Sequence, residues 1–529
     1  MIKENATQRV ERIKKEKSGL DVLADIKRYA TTKEAINPED IDRFKWYGLY
    51  TQNKNSQDEF DESLYFMLRV KLEKGAMSVE QMRTISDISD NYAKQTATFT
   101  TRQDIQFHNV SVENLPTIFE KLQNVGLSTV FAAGDVPRNV VTCPVSGIEH
   151  DEIIDVNHIV SSINDYFRGN NELANLPRKY KVGVSGCSKH CIGHEIQDLS
   201  FSAVNFEDGI FFDVSVGGGL ASNKQIAIHL GYVKEENILK VVDAVSYIYK
   251  NYGLRENRKK ARLGHLVNEW SAEKFKGLLE TKIEFKLENK NVQNYTPYSK
   301  REHFGVHKSK KDGYSYIGCA INGGKIGAKG LAVLADSLEK YQATTIKVTN
   351  TQNFVILDVP NNNVDFLVKE LQIQKIDTSP SSFKARTISC TGIEFCKFAI
   401  VETKDQAMKL VQYLEKRFPN FNETISISIN GCPNSCAHPH VVDIGLLAIK
   451  FKDEDSNTIA GFELILGGNL EGEKSSFGEK TKLKIKPSQV NEVVEKIILS
   501  YQNSSIKVFN QFVKEKITDE KFITNLLES

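Results

Sequence analysis

The sequence predicts an α+β protein made of two copies of one unit related by a pseudo-two-fold arrangement. A repeated cysteine motif, further landmarks repeated in the same order, and matching hydrophobic periodicity in the two halves all predict it. Gly186-Cys187-x3-Cys191 in VSGCSKHCIGHEIQDL returns 245 residues later as Gly431-Cys432-x3-Cys436 in INGCPNSCAHPHVVDI, and Asp198 and Asp443 keep that offset. Cys143 and Cys390 lie 247 residues apart, Gly217-Gly218-Gly219 and Gly467-Gly468-Asn469 lie 250 apart, and the segments around Arg102 and Thr351 lie 249 apart. Short motifs recurring by accident would not keep one order at nearly one offset.

The elements follow in order. Leu64–Leu72 alternates apolar and polar residues as a half-buried strand does, and Ser78-x-x-Gln81 opens a helix as a capping box. Strands are expected at 96–101 and 104–110, then a helix at 113–124 closed by Gly126. The second half repeats this β-α-β-β-α pattern with a strand at 313–321, a helix at 328–340, strands at 344–349 and 353–358, and a helix at 363–372. Strands such as Ile425–Ile429 and helices such as Lys404–Arg417 make up the cysteine-bearing segments. The first 56 residues match nothing in the second half and read as an extension wrapping the body. The expected division is 1–56 (extension), 57–127 and 291–375 (the two β-α-β-β-α units), and 128–290 and 376–529 (the two cysteine-bearing domains).

A chain of 529 residues has length for three or four domains. Its 69 Lys and Arg against 68 Asp and Glu give a net charge of +1, which excludes the strongly basic character of a bulk nucleic-acid binder. A 40% hydrophobic and 26% charged composition is that of an ordinary soluble protein. No apolar run approaches the roughly 18 residues that cross a bilayer, so no membrane partner is expected. The opening MIKENATQRVERIKKEK lacks the apolar stretch of a signal peptide, and a cytoplasmic location is the expectation. The eight cysteines lie between 143 and 436, clustered as for a metal or redox site in a reducing compartment.

Cys390-x5-Cys396 and Cys432-x3-Cys436 are separated by 35 residues. The five-residue gap fits zinc poorly, whereas four thiolates suit an iron–sulfur cluster. Gly431 and Pro433 beside Cys432 indicate a tight turn around a bulky inorganic group. On spacing alone, zinc and two unrelated buried thiol pairs stay open. CTGIEFCKFAIVETK followed by NGCPNSCAHPHVVDIG resembles the paired signature of the sirohaem-dependent nitrite and sulfite reductases. FKWYGLY, YFMLRVKL, TTRQDIQFH, VPRNVVTC, LPRKYK and VGGGL extend the resemblance over nearly the whole chain. It implies ferredoxin-like half-domains at 57–127 and 291–375 and two reductase domains at 128–290 and 376–529. It also implies a [4Fe-4S] cluster on Cys390, Cys396, Cys432 and Cys436, with the Cys436 sulfur bridging to the sirohaem iron. The first half departs from this pattern. Cys143-x5 leads to Glu149, leaving Cys143, Cys187 and Cys191 as a degenerate copy with structural thiols or, alternatively, a cluster with Glu149 or His150 as fourth ligand. Cys319 reads as a small buried residue.

Arg69, Arg138, Lys179 and Lys181 match the family's anion-binding positions, where fixed positive charge binds an oxyanion and stabilises charge as oxygens leave. Arg102 with Gln106 resembles the residues that hold sirohaem's carboxylates, and Asn434 is a further candidate cofactor contact. Plant-type nitrite reductases resemble LPRKWN where this chain has LPRKYK, and sulfite reductases carry lysine at the last position. Sulfite carries up to two negative charges and nitrite one, so Lys181 favours sulfite. CTGIEFCKFAIVETK and FKWYGLY resemble the ferredoxin nitrite-reductase branch, which includes ferredoxin sulfite reductases. The resulting expectation is six-electron reduction of sulfite to sulfide, with nitrite to ammonium, or both, as the alternative. The chain shows no nucleotide-binding GxGxxG after a strand, so an external donor, ferredoxin, is expected. Asn257–Arg262 and Lys300–Lys311 are its candidate docking segments.

Overall fold

The computed structural model describes residues 4–189, 191–291 and 302–527. In the first half, β1 (Leu49–Thr51), β2 (Phe66–Val70), β4 (Thr98–Phe99) and β5 (Ile105–Val110) form an antiparallel sheet in the order β1-β2-β5-β4, while β3 (Ala76–Ser78) leaves it. β2 alternates buried and half-buried residues, as its pattern predicts. The helix Val79–Tyr92 begins at the predicted capping box: Ser78 Oγ accepts from the Gln81 N–H at 3.2 Å, and Gln81 Oε1 accepts from the Ser78 N–H at 3.0 Å. The helix Leu115–Asn124 is followed by Gly126 at φ +72°.

The first cysteine-bearing sheet runs β6 (Val141–Thr142), β7 (Val182–Ser185), β8 (Leu199–Phe206), β9 (Gly209–Val216) and β10 (Ile228–Val233), in that spatial order. Its first two pairings are parallel and its last two antiparallel. The second half places β11 (Gly305–Lys308), β12 (Tyr314–Cys319), β13 (Thr345–Val348) and β14 (Phe354–Pro360) in the order β11-β12-β14-β13. β15 (Thr387–Ser389), β16 (Ile427–Asn430), β17 (Ile444–Lys452), β18 (Thr458–Leu466) and β19 (Glu479–Ile485) then repeat the order and sense of β6 to β10. The duplication is therefore present in topology as well as in motifs, and the fold is α+β. One expectation needs correction: β1 pairs with β2 as β11 pairs with β12, so the end of the 1–56 extension has a counterpart in the second half. Three residues are too few to show a period of two in the sequence.

The halves interlock. β3 extends the second sheet by pairing with β13, Ser78 opposite Thr345, and Thr98 makes the reciprocal bridge to Lys325. Gln103 and Gln352 sit at φ +57° and +64°, a conformation that costs a non-glycine residue roughly 1 kcal/mol. Their buried amides offset this. Gln103 accepts from the Thr142 N–H at 2.9 Å and donates to the carbonyls of Thr142 (2.9 Å) and Val348 (2.8 Å). Gln352 accepts from the Ser389 N–H at 3.1 Å and donates to the Phe99 carbonyl at 3.3 Å. Each glutamine thus fixes the last residue of a strand that leads into a cysteine. One core runs through both half-domains, from Val22 to Ile376, and each cysteine-bearing sheet has its own core.

Candidate functional site

Parallel pairing puts the carboxyl ends of neighbouring strands side by side, and ligand-holding loops leave from such ends. β15 ends at Ser389 and delivers Cys390, and β16 ends at Asn430 and delivers Cys432. The Cys390 N–H donates to the Ile429 carbonyl at 3.1 Å, and the Gly431 N–H donates to Cys390 Sγ at 3.2 Å. A side chain at Gly431 would start 2.7 Å from Ala399 Cβ, so only glycine lets the two cysteine loops approach. Ser435 and His438, at φ +54° and +59°, turn the Cys432–Cys436 loop back on itself, and Asn430 Oδ1 pins it by accepting from the Ala437 N–H at 3.0 Å. Burial raises the pKa of Cys390 and Cys396 and lifts Cys432 to about 11, and the charge of Cys436 adds to all three. The thiols of Cys390, Cys396 and Cys432 therefore lie within electrostatic range of Cys436, and positive charge nearby would favour their ionisation. This donor set fits a four-iron cluster.

The cations come from the first half. Arg69 on β2 pairs in register with Gln106 on β5, and its guanidinium lies 3.5 Å from Gln106 Oε1 and 3.4 Å from the Ala132 carbonyl. Arg138 donates to that same Ala132 carbonyl at 2.9 Å, to the Gly134 carbonyl at 2.9 Å and to the Tyr50 hydroxyl at 3.1 Å. Lys179 and Lys181 flank Tyr180, whose ring is wholly buried. Burial, then Arg262, lowers Lys179 to about 8, while burial and Lys179 push Lys181 well below its ordinary value. Arg102 donates to Gln197 Oε1 at 2.6 Å and to the Val182 carbonyl at 2.7 Å, and burial brings it to about 9. These bonds take both terminal nitrogens of the residue expected to hold a cofactor carboxylate, leaving Nε. The buried Nε atoms of Arg69, Arg102 and Arg138 have no hydrogen-bond partner among the described residues. Asp198 is engaged by Arg262 at 2.7 and 3.1 Å and by the Lys181 N–H at 2.8 Å, and one buried carboxylate, Asp104, lies within electrostatic range of Arg69, Arg102 and Arg138. A set of cations this crowded calls for an anion.

The two halves of the site meet. Lys179 feels the charge of Cys436, and burial together with Lys181 and Arg102 depresses His438 to about 3. Thr101 Oγ1 donates to the Cys436 carbonyl at 3.2 Å, and Gln106 Nε2 to Thr391 Oγ1, beside Cys390, at 3.2 Å. Cys436 is exposed toward this space, and Asn434 is exposed on the same loop. The structure thus brings Arg69, Arg102, Gln106, Arg138, Lys179 and Lys181 to one side of the cysteine loops. Sequence reasoning missed Tyr50. It lies inside the quoted FKWYGLY, yet nothing local marks its hydroxyl for this pocket. Burial raises the pKa of that hydroxyl, but Arg138, Arg69 and Lys179 outweigh it and bring it to about 7. The docking segments keep part of their charge free. Arg258 and Arg262 are spent on Asp135 and Asp198, leaving Lys259 and Lys260 exposed. In the second segment, residues 300 and 301 lie outside the described residues, His303 is buried, and Lys310 and Lys311 pair with Glu152 and Asp358 at 2.7 and 3.2 Å.

Residues 133–287 and 382–511 match the nitrite and sulphite reductase 4Fe-4S domain, and residues 61–125 and 307–372 match the nitrite/sulfite reductase ferredoxin-like half domain. The chain is 34% identical to a Mycobacterium tuberculosis protein named sulfite reductase (ferredoxin), over 97% of this chain and 93% of that one. It is 29% identical to a ferredoxin–nitrite reductase of Leptolyngbya laminosa, over 94% of this chain and 98% of that one. The solved structure of the Mycobacterium tuberculosis NirA protein superposes with a TM-score of 0.90 at 33% identity, covering 98% of both chains. Both domain types occur twice, in alternation, on the two halves that the topology had already shown to be copies. With its four-thiol loops facing a crowd of cations, the chain belongs to the nitrite and sulfite reductase family, whose members carry sirohaem and a [4Fe-4S] cluster.

Proposed function

We propose that this chain reduces sulfite to sulfide with six electrons from ferredoxin, and that it works in the cytoplasm. The convergence of Arg69, Arg138, Lys179 and Lys181 on one space facing Cys436 carries this reading. Cys390, Cys396, Cys432 and Cys436 would hold the cluster, with Cys436, the exposed thiol of the four, within electrostatic range of Lys179. Arg102 Nε and Gln106 would hold the carboxylates of the sirohaem, and Asn434 would be a further contact to the cofactor. The bound cofactors supply an iron for the sulfur of the substrate and a path for electrons arriving singly.

The side chains do the rest. Arg69 and Arg138, held by the shared Ala132 carbonyl, present fixed charge to the substrate oxygens. Burial and Lys179 disfavour the charge on Lys181, so a bound anion would restore it, and a dianion does so more fully than a monoanion. Lys179, near 8, and the Tyr50 hydroxyl, near 7, each sit close enough to neutrality to give up a proton to a departing oxygen and regain one. No disulfide joins any two of the cysteines, in keeping with a reducing compartment. No helix among the described residues is long and apolar enough to cross a membrane. The test is steady-state kinetics on sulfite and on nitrite with reduced viologen. The reading expects the higher kcat/KM on sulfite; a higher value on nitrite would support the alternative that similarity to ferredoxin–nitrite reductases keeps in view.

A further inference from the structure

The three cysteines of the first repeat do not stand alone. Cys143 leaves the end of β6 and Cys187 follows β7, the places that Cys390 and Cys432 take in the second repeat. Cys191 Sγ lies 3.8 Å from Cys143 Sγ, 3.7 Å from Cys187 Sγ and 3.1 Å from His303 Nε2, and that nitrogen is 3.4 Å from Cys143 Sγ. On the other side of the ring, His303 Nδ1 is 3.2 Å from Glu149 Oε2, which also accepts from the Tyr316 hydroxyl at 2.8 Å. Cys143, Cys187 and His303 are buried.

We propose that Cys143, Cys187, Cys191 and His303 hold one zinc ion in a tetrahedral Cys3His site. Zinc–sulfur bonds of about 2.3 Å at tetrahedral angles put the sulfurs about 3.8 Å apart and a sulfur and a nitrogen about 3.5 Å apart. The spacings among Cys143, Cys191 and His303 match a single shared ion, and Cys187, 3.7 Å from Cys191 and farther from the other two, completes the four by turning its thiol toward it. The sulfur spacings are far longer than the roughly 2.05 Å of a disulfide. A four-iron cluster binds each thiolate to a different iron at a separate corner and so spreads its sulfurs wider. The second repeat shows that contrast: among the described residues, Cys143, Cys191 and His303 form the only trio of such ligand atoms lying within 4.8 Å of one another. Glu149 completes the design by holding Nδ1, which fixes the tautomer and aims the Nε2 lone pair at the thiols. Buried Lys347 lies within electrostatic range of Cys143 and offsets the negative charge that three thiolates leave on a zinc site.

This revises the sequence expectation twice over. Glu149 acts one step outside the ligands, and His150 is exposed and takes no part. His303 comes from the segment leading into the second half-domain, where a side chain at Gly318 would start 1.7 Å from the His303 carbonyl oxygen. Only glycine admits the segment there, and the ion would staple it to the first repeat.

Metal analysis of the purified, sirohaem-loaded enzyme tests the site. We expect about one zinc and about five irons per chain, the irons being four of the cluster and one of the haem. X-ray absorption at the zinc edge should show three sulfurs at about 2.3 Å and one nitrogen at about 2.0 Å. Cys191→Ser and His303→Ala should lose the zinc and keep the irons and the haem spectrum. Glu149→Gln should keep zinc but yield it to a chelator at roughly 10- to 100-fold lower concentration. Wild-type enzyme with no zinc, with six or nine irons, or with a zinc that both ligand variants retain would overturn the assignment. Should a variant fail to fold, the wild-type absorption spectrum decides. None of these results bears on which anion is reduced.

Discussion

Lys181 carries the choice between the two anions. Its main chain is fixed by Asp198, its side chain is half-buried, and Lys179, Arg102 and Arg262 all disfavour its charge. Lys181→Asn should therefore lower kcat/KM for sulfite at least tenfold, about 1.4 kcal/mol of transition-state stabilisation, and lower that for nitrite less. The haem spectrum should stay unchanged, and equal losses on both anions would make Lys181 a general structural or proton-handling residue. Lys179 sets a pH limit. Its folded-state pKa is lowered to about 8, so the cation is present below that pH and lost above it. Sulfite kcat/KM should fall as pH rises through about 8, and Lys179→Arg, which stays charged, should flatten that limb. Tyr50→Phe removes the other group titrating nearby, so the fall near 8 should persist in it. At this scale the family resemblance pointed to Arg69, Arg138, Lys179 and Lys181, because they stand at that family's anion-binding positions. Tyr50 and His303 escaped because their partners are distant: His303 meets Cys191 across 112 residues.

Elements that announce themselves by period and cap were legible. The helix Lys404–Arg417 has the limits its pattern predicts, and the Ser78 capping box begins the helix it signals. What failed to show was pairing. The three-residue strands β1 and β3 carry too little pattern, and the crossing of β3 to β13 depends on the other half of the chain. Gln103 and Gln352 express that interdependence. Each joins the half-domains to the strand before a cysteine through buried amide bonds whose loss costs about 1 to 3 kcal/mol. Gln103→Ala and Gln352→Ala should accordingly lower stability to urea by similar amounts. Gln352→Ala should also lose iron, because the Ser389 it holds precedes Cys390. Iron loss from Gln103→Ala alone would reverse the assignment of the copies.

Across the whole molecule the duplication divides labour. The second repeat supplies four thiols at the ends of β15 and β16, the first supplies the cations, and the interlocked half-domains hold the two in register. The family resemblance and the repeat were legible from motifs alone. The facing of the cation set to Cys436 was not, since it arises only when the two copies pack about their pseudo-two-fold axis. The most direct test follows sulfide formed against viologen oxidised by the enzyme loaded with sirohaem and cluster. The account predicts one sulfide for every six electrons consumed, with Arg138→Ala losing most of that activity while its haem spectrum is retained. A fully loaded enzyme that consumes no electrons with sulfite and releases no sulfide would contradict it.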